Sequence, residues 1–103
     1  MSRDQSAIAV ITGEIDGKTA PLVQAELLPV IQQHDKVILD MRSVVYLSSA
    51  GLRMLLLAYR QAAARESDLL LAGLSEEIRD TMEMTGFLDF FTTVDTVEAG
   101  LLA

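Results

Sequence analysis

The chain has no cysteine, which removes disulfide scaffolds, thiolate zinc sites and cysteine nucleophiles, and which is compatible with a reducing compartment. It also lacks any long apolar run. Segments such as Met54-Leu55-Leu56-Leu57-Ala58-Tyr59 fall far short of the roughly 20 residues a spanning helix needs, so no membrane insertion is expected. Positive charge is scarce: 8 Lys and Arg stand against 15 Asp and Glu, a formal charge of −7. Phosphates attract the opposite sign, so direct nucleic-acid binding is not expected either. The opening Met1-Ser2-Arg3-Asp4-Gln5 has an early acid and no apolar h-region; it does not read as a secretory signal, and a cytoplasmic protein is expected.

Half of the 103 residues are hydrophobic and 22% are charged, a core-forming composition of a length that suits one domain over residues 1–103. Ala7-Ile8-Ala9-Val10-Ile11, closed by Thr12-Gly13, reads as a buried strand. Leu22, Val23, Leu27, Val30 and Ile31 then recur at helical spacing, with Asp16 or Thr19 available as a cap. Pro21 suits the first turn of this helix, whereas Pro29 predicts a kink or an early end. Lys36-Val37-Ile38-Leu39-Asp40 is the next strand, and Arg42-Ser43 separates it from Val44-Val45-Tyr46-Leu47. After Ser48-Ser49-Ala50-Gly51 comes the strongest helix, with an expected apolar stripe of Leu52, Leu55, Leu56, Tyr59 and Ala63. Leu69-Leu70-Leu71-Ala72 resumes a strand, and Ser75 caps a helix that carries Glu76 and Glu77 in its first turn and Gly86 past its end. Phe87 to Thr92 supplies a last short strand or packing hook, and Asp95 to Leu102 a final helix. This alternation predicts an α/β domain, a mixed but mostly parallel β-sheet of four to five strands covered by about four helices.

The informative stretch is Tyr46-Leu47-Ser48-Ser49-Ala50-Gly51-Leu52-Arg53, where a strand meets a helix N-terminus. Ser49 is the expected N-cap, its oxygen accepting from the N–H of Gly51 or Leu52. The same place welcomes a phosphate, because unpaired N–H groups and the positive end of the helix dipole point there. Gly51, without a side chain, leaves room for a phosphate or another protein to approach the backbone. From the residues alone, Ser49 reads first as a plain cap, since a serine before a leucine-rich helix usually is one. Leu57 is expected to be buried between helices, and Met54 partly exposed beside Ser49 and in contact with Arg53, where a flexible thioether suits a binding surface. The Glu76, Glu77, Asp80 and Glu83 face reads as solvated helix surface.

No catalytic residue is assigned. Neither serine sits in a G-x-S-x-G elbow, and the single histidine, His34, falls near the end of the first helix. There is no G-x-x-x-x-G-K-[ST] loop and no G-x-G-x-x-G after a strand, so no cofactor and no metal is expected.

Thr12-Gly13-Glu14-Ile15-Asp16, Lys36 to Asp40, Tyr46 to Leu52, Leu74-Ser75 and Thr85-Gly86-Phe87 occur in an order and spacing that resemble the STAS family, specifically its single-domain bacterial anti-sigma-factor antagonists. The resemblance implies a partner that is both serine kinase and anti-sigma factor, with a histidine-kinase-like ATPase fold. This partner binds the unphosphorylated antagonist and is lost on phosphorylation, and a metal-dependent serine phosphatase reverses the modification. Carried onto this sequence, the phosphorylated serine is Ser49, with Ser48 the second choice; Ser48 stands where the family usually has an acid, and Ala50 where it has Ser or Thr. Asp16, Ser48, Ala50, Gly51, Arg53 and Met54 are the expected partner-binding residues, on a monomer or weak dimer. Two other readings stand beside this one: a STAS subunit of a transport or membrane-associated complex with Ser49 as a structural cap, and a small-molecule or nucleotide-binding regulator.

Overall fold

A computed structural model describes residues 6–103; the reading of Met1 to Gln5 as no signal sequence lies outside the described residues. The chain runs β1 (Ser6–Ile15), α1 (Ala20–Gln33), β2 (Lys36–Leu47), α2 (Ser49–Ala64), β3 (Asp68–Ala72), α3 (Glu76–Met84), a single 3₁₀ turn (Leu88–Phe90), β4 (Thr92–Val94) and α4 (Val97–Leu102). The four strands form one sheet in the order β1-β2-β3-β4, every neighbouring pair parallel. The expected α/β architecture holds, with four strands, four helices and no antiparallel pair among the described residues.

Parallel neighbours need a crossover, and right-handed crossovers that progress one way along a sheet place their helices on the same face. Accordingly α1, α2 and α3 bury Leu27, Ile31, Leu55, Ile78 and Met82 against Ile15, Leu39, Met41 and Leu71 in one core. The opposite face carries a smaller cluster of Ile38, Leu70 and Ala72, packed by Val94 and by Val97 of α4. Gly100 lets α4 lie close on this face, since a Cβ there would stand 3.1 Å from Ile38 Cδ1.

Four expectations about the elements need correction. β1 does not stop at Ile11: Gly13, at φ +81°, carries the chain on to Ile15. Lys36–Asp40 and Val44–Leu47 are one strand rather than two. β2 takes an extra residue between the pairs Val10↔Asp40 and Thr12↔Ser43, and another between Gly13↔Val44 and Glu14↔Tyr46. These bulges leave Arg42 and Ser43 exposed while Met41 and Val44 both stay buried. α1 runs past Pro29 to Gln33, because Pro29 lies on an exposed side where the carbonyl it leaves unpaired reaches water. In α2 the buried stripe is Leu52, Met54, Leu55, Ala58 and Ala62; Leu56 and Tyr59 are only half-buried and Ala63 is exposed.

Elsewhere the local signals act as read. Ser75 Oγ accepts from the Ile78 N–H at 3.2 Å, and Gly86 leaves α3 at φ +81°. Glu76, Glu77, Asp80 and Glu83 are all exposed. His34 Nδ1 lies 2.9 Å from the Val30 carbonyl, so His34 ends α1 and is not a base beside either serine of the junction. No helix among the described residues is long and apolar enough to cross a membrane.

Candidate functional site

β1 and β2 end side by side, with Ile15 paired to Leu47, and this shared edge is where α1 and α2 begin. Ser48 is fixed there by three of its atoms. Its N–H donates to the Ile15 carbonyl at 2.9 Å, its carbonyl accepts from Leu52 at 2.9 Å, and its Oγ accepts from the Gly51 N–H at 3.3 Å. Ser48, in extended conformation at φ −83° and ψ 175°, is therefore the N-cap of α2. The cap expected at Ser49 thus falls one residue earlier. Ser49 is instead the first helical residue, exposed, and its hydroxyl makes no hydrogen bond among the described residues. The N–H groups of Ser49 and Ala50 open the helix without an intrahelical acceptor, which places two backbone donors and the positive end of the dipole beside a free hydroxyl.

Gly51 also plays a different part from the expected one. A Cβ on it would stand 2.7 Å from Leu47 Cδ1 and 2.8 Å from the Ile15 carbonyl oxygen. The space beside Gly51 is filled from within by the strand ends, so the glycine serves close helix–sheet approach and leaves no opening for a partner.

Asp16 heads the neighbouring loop. Its Oδ1 accepts from the N–H groups of Lys18 at 2.9 Å and Thr19 at 3.1 Å, while its own N–H donates to Thr19 Oγ1 at 2.9 Å. This reciprocal pair closes the turn that leads into α1; Thr19 is the N-cap residue of α1 but its side chain makes no cap hydrogen bond, so Asp16 and Thr19 brace the turn rather than cap the helix. The Thr19 and Lys18 amides hold the Asp16 carboxyl below its ordinary value, so it is anionic at neutral pH. Asp16 thus supplies a fixed negative charge at the strand-end edge that carries Ser49, and makes no hydrogen bond to Ser49.

A groove of about 260 Å³ runs beside the junction, between Gly17, Pro21 and Gln24 on one side and Ala50, Arg53 and Leu57 on the other. Here too the side chains exchange expected roles: Met54 is buried at 4% exposure and forms only the groove floor, while Leu57 is half-buried and reaches its surface. Arg53 is exposed. The α1 side of the groove, Gly17, Pro21 and Gln24, was missed from sequence. The available signal was the parallel order of β1 and β2, which brings α1 and α2 to the same face. Among the described residues, no group of three or more His, Asp or Glu side chains is arranged to hold a metal ion.

The parallel sheet in this order is joined by what the sequence comparison finds: the family model described as STAS domain matches residues 2–100. The chain belongs to the STAS family. Among its STAS relatives, the anti-sigma-B factor antagonist of Listeria monocytogenes is 38% identical over 90 residues, covering 84% of this chain and 78% of that protein. BtrV of Bordetella bronchiseptica, named as a proposed anti-sigma factor antagonist, is 33% identical over 101 residues, covering 97% of this chain and 87% of its own length. The STAS fold is shared with the anti-sigma factor antagonist SpoIIAA. Its unphosphorylated form superposes at a TM-score of 0.71 with 17% identity, covering 99% of this chain and 89% of that one. Its phosphorylated form superposes at 0.69 with 18% identity, covering 95% and 89%.

Proposed function

We propose that this STAS chain is an anti-sigma-factor antagonist in a bacterial partner-switching pathway of the cytoplasm, and that Ser49 is its switch. The carrying observation is the division of labour between the two serines: Ser48 holds the helix and Ser49 is free to be modified. Unphosphorylated, the Ser49 edge and the adjoining α1–α2 groove bind a serine kinase that is also the anti-sigma factor, with a histidine-kinase-like ATPase fold, and the sigma factor is released. Ser49 Oγ then attacks the γ-phosphorus of ATP held by that kinase, its proton leaves to a base of the kinase, and ADP departs. A metal-dependent phosphatase hydrolyses the ester to inorganic phosphate and the free hydroxyl. The chain supplies the acceptor and the docking surface; the chemistry belongs to its partners.

The new phosphate adds about −1.5 to −2 charges at neutral pH. It meets the anionic Asp16 on the same edge. A partner surface fitted to the neutral loop then faces like-charge repulsion and the desolvation of a dianion. The Ser49 and Ala50 amides and the Arg53 guanidinium stabilise the phosphate on the free chain, so α2 keeps its cap and its place.

The relatives named as antagonists support this reading over a transport-complex subunit, in which Ser49 would be the structural cap. Ser48 already fills that role. Incubation with a serine kinase that is also an anti-sigma factor, from the same bacterium, and ATP, followed by peptide mass spectrometry, tests it. Modification at Ser49 that is abolished by Ser49→Ala and persists in Ser48→Ala is the expected result. Stable complex formation without modification overturns it.

A further inference from the structure

Arg53 is the one charged side chain that lines the groove beside Ser49. It is exposed, and among the described residues it makes no hydrogen bond and no ion pair. Two other cations of the chain are engaged. The Arg42 guanidinium donates to Asp40, and Lys36 Nζ donates to the Gly100 and Ala103 carbonyls at 3.1 and 2.7 Å. Both Ser49 and Arg53 lie on α2, at positions i and i+4, so their side chains share one face with about 5–6 Å between Cβ atoms. Arg53 therefore reaches two places: the groove surface that a partner would cover, and the space around the Ser49 hydroxyl. The groove itself supplies no carboxylate to it. The nearby Asp16 is turned away, its Oδ1 accepting from the Lys18 and Thr19 amides.

We propose that Arg53 changes partner on phosphorylation: in the unphosphorylated chain it pairs with a carboxylate of the bound kinase, and in the phosphorylated chain the Ser49 phosphate captures it. The proposal rests on the partner-switching reading of Ser49 and adds the chemistry by which the kinase is held and let go. A surface that covers the groove takes the guanidinium out of water, and a buried cation without an acceptor is strongly unfavourable. The acceptor must arrive with the kinase. A carboxylate matches the planar fork of arginine with two parallel hydrogen bonds. The phosphate then competes from a stronger position. It carries about −1.5 to −2 charges against −1, and it sits on the same helix turn, so its pairing with Arg53 is intramolecular. Capture leaves the kinase carboxylate buried without its counter-ion and facing a dianion. One modification thus withdraws the attraction at Arg53 while Asp16 adds repulsion on the opposite side.

Two measurements test this on the full chain, with and without phosphoserine installed at Ser49 during synthesis. The first needs no kinase. The charged groups around the phosphate are Arg53 on α2, Asp16 and Lys18 on the β1–α1 loop, and Glu14 near the end of β1. Removing the one cation on α2 disfavours the dianion. In a phosphorus NMR titration Arg53→Gln should therefore raise the second phosphate pKa by roughly half a unit, and Arg53→Lys by less. The second is calorimetric titration against the serine kinase that is also an anti-sigma factor. Arg53→Gln should weaken binding of the unphosphorylated chain about tenfold or more, and Arg53→Lys should recover part of the loss. Phosphorylation should then raise the Kd of Arg53→Gln by a several-fold smaller factor than it raises that of wild type. Arg53 is exposed, and circular dichroism should report unchanged folding. An unmoved phosphate pKa, wild-type affinity in unphosphorylated Arg53→Gln, or an equal factor in variant and wild type would each overturn the proposal and leave Ser49 as the switch. A wild-type chain that the kinase neither binds nor modifies would remove the partner-switching reading, and this proposal with it.

Discussion

The Ser48 amide donates to the Ile15 carbonyl, and that one bond joins the end of β1 to the start of α2. It selects Ser48 as the cap, because a residue anchored to the sheet in extended conformation is the last one outside the helix. Its neighbour Ser49 is left as the exposed hydroxyl.

The two serines should separate in stability. Ser48→Ala removes the cap and should lower the unfolding free energy by about 1 kcal/mol, while Ser48→Asp, an equally good cap, should stay near wild type. Ser49→Ala, on an exposed side chain without a hydrogen bond, should change stability by less than about 0.5 kcal/mol. Urea denaturation of the three variants reads the difference.

Gly51→Ala pits helix propensity against packing. Alanine favours a helix interior by about 1 kcal/mol over glycine. The added methyl, however, would stand 2.8 Å from the Ile15 carbonyl oxygen, a backbone atom that cannot rotate away. A net loss of about 1–3 kcal/mol is expected from overpacking. A stabilised variant, in the same denaturation assay, would show that the strand ends yield.

Asp16→Asn separates the brace of the turn from the charge. Asparagine keeps a side-chain oxygen for the Lys18 and Thr19 amides, so thermal stability should stay close to wild type, while Asp16→Ala should melt lower. With the carboxylate gone, phosphorylation at Ser49 should weaken kinase binding less than it does in wild type. Ser49→Asp in the wild-type background should weaken binding at least tenfold; calorimetric titration against the kinase gives both values, and equal affinity of Ser49→Asp and wild type would contradict the charge switch.

Acid should act through Asp40. Its side chain is only 6% exposed, and it receives Arg42 Nε and Nη2 at 3.0 Å each. The hydrogen bonds from Arg42 lower its carboxyl below the ordinary value of 3.8. A carboxyl with a depressed folded value contributes its full stability above the unfolded value and loses it as pH falls through the folded one. The stability gap between wild type and Arg42→Gln should therefore be widest near neutral pH and narrow below about pH 4. Denaturation midpoints of the pair across that range provide the check.

Elements governed by local chemistry could be read from the chain. The Ser75 cap, the Gly86 stop and the alternation of short apolar runs with helical periods all depend on residues within a turn of one another. The features that sequence misplaced depend on distant contacts. Two adjacent serines present identical cap chemistry, and only the bond from Ser48 to Ile15 distinguishes them. Gly51 looks like an opening until Leu47 and Ile15 are packed against it. Met54 and Leu57 exchange places because α1 lies over one flank of α2, a neighbour that the periodicity of α2 cannot report. The fusion of two short apolar runs into β2 likewise rests on pairing with β1, which absorbs the polar Arg42-Ser43 step as a bulge.

The three-atom anchoring of Ser48 has a consequence in time. A loop that had to unfold or rearrange would insert a microsecond-to-second step between modification and release. In the proposed switch the backbone beside Ser49 is already tied down, through Ser48, to Ile15, Gly51 and Leu52, so receiving a phosphate calls for no such rearrangement. On the proposed function the chain is a fixed template whose message is written in charge, and dissociation of the kinase should follow phosphoryl transfer with no lag of its own.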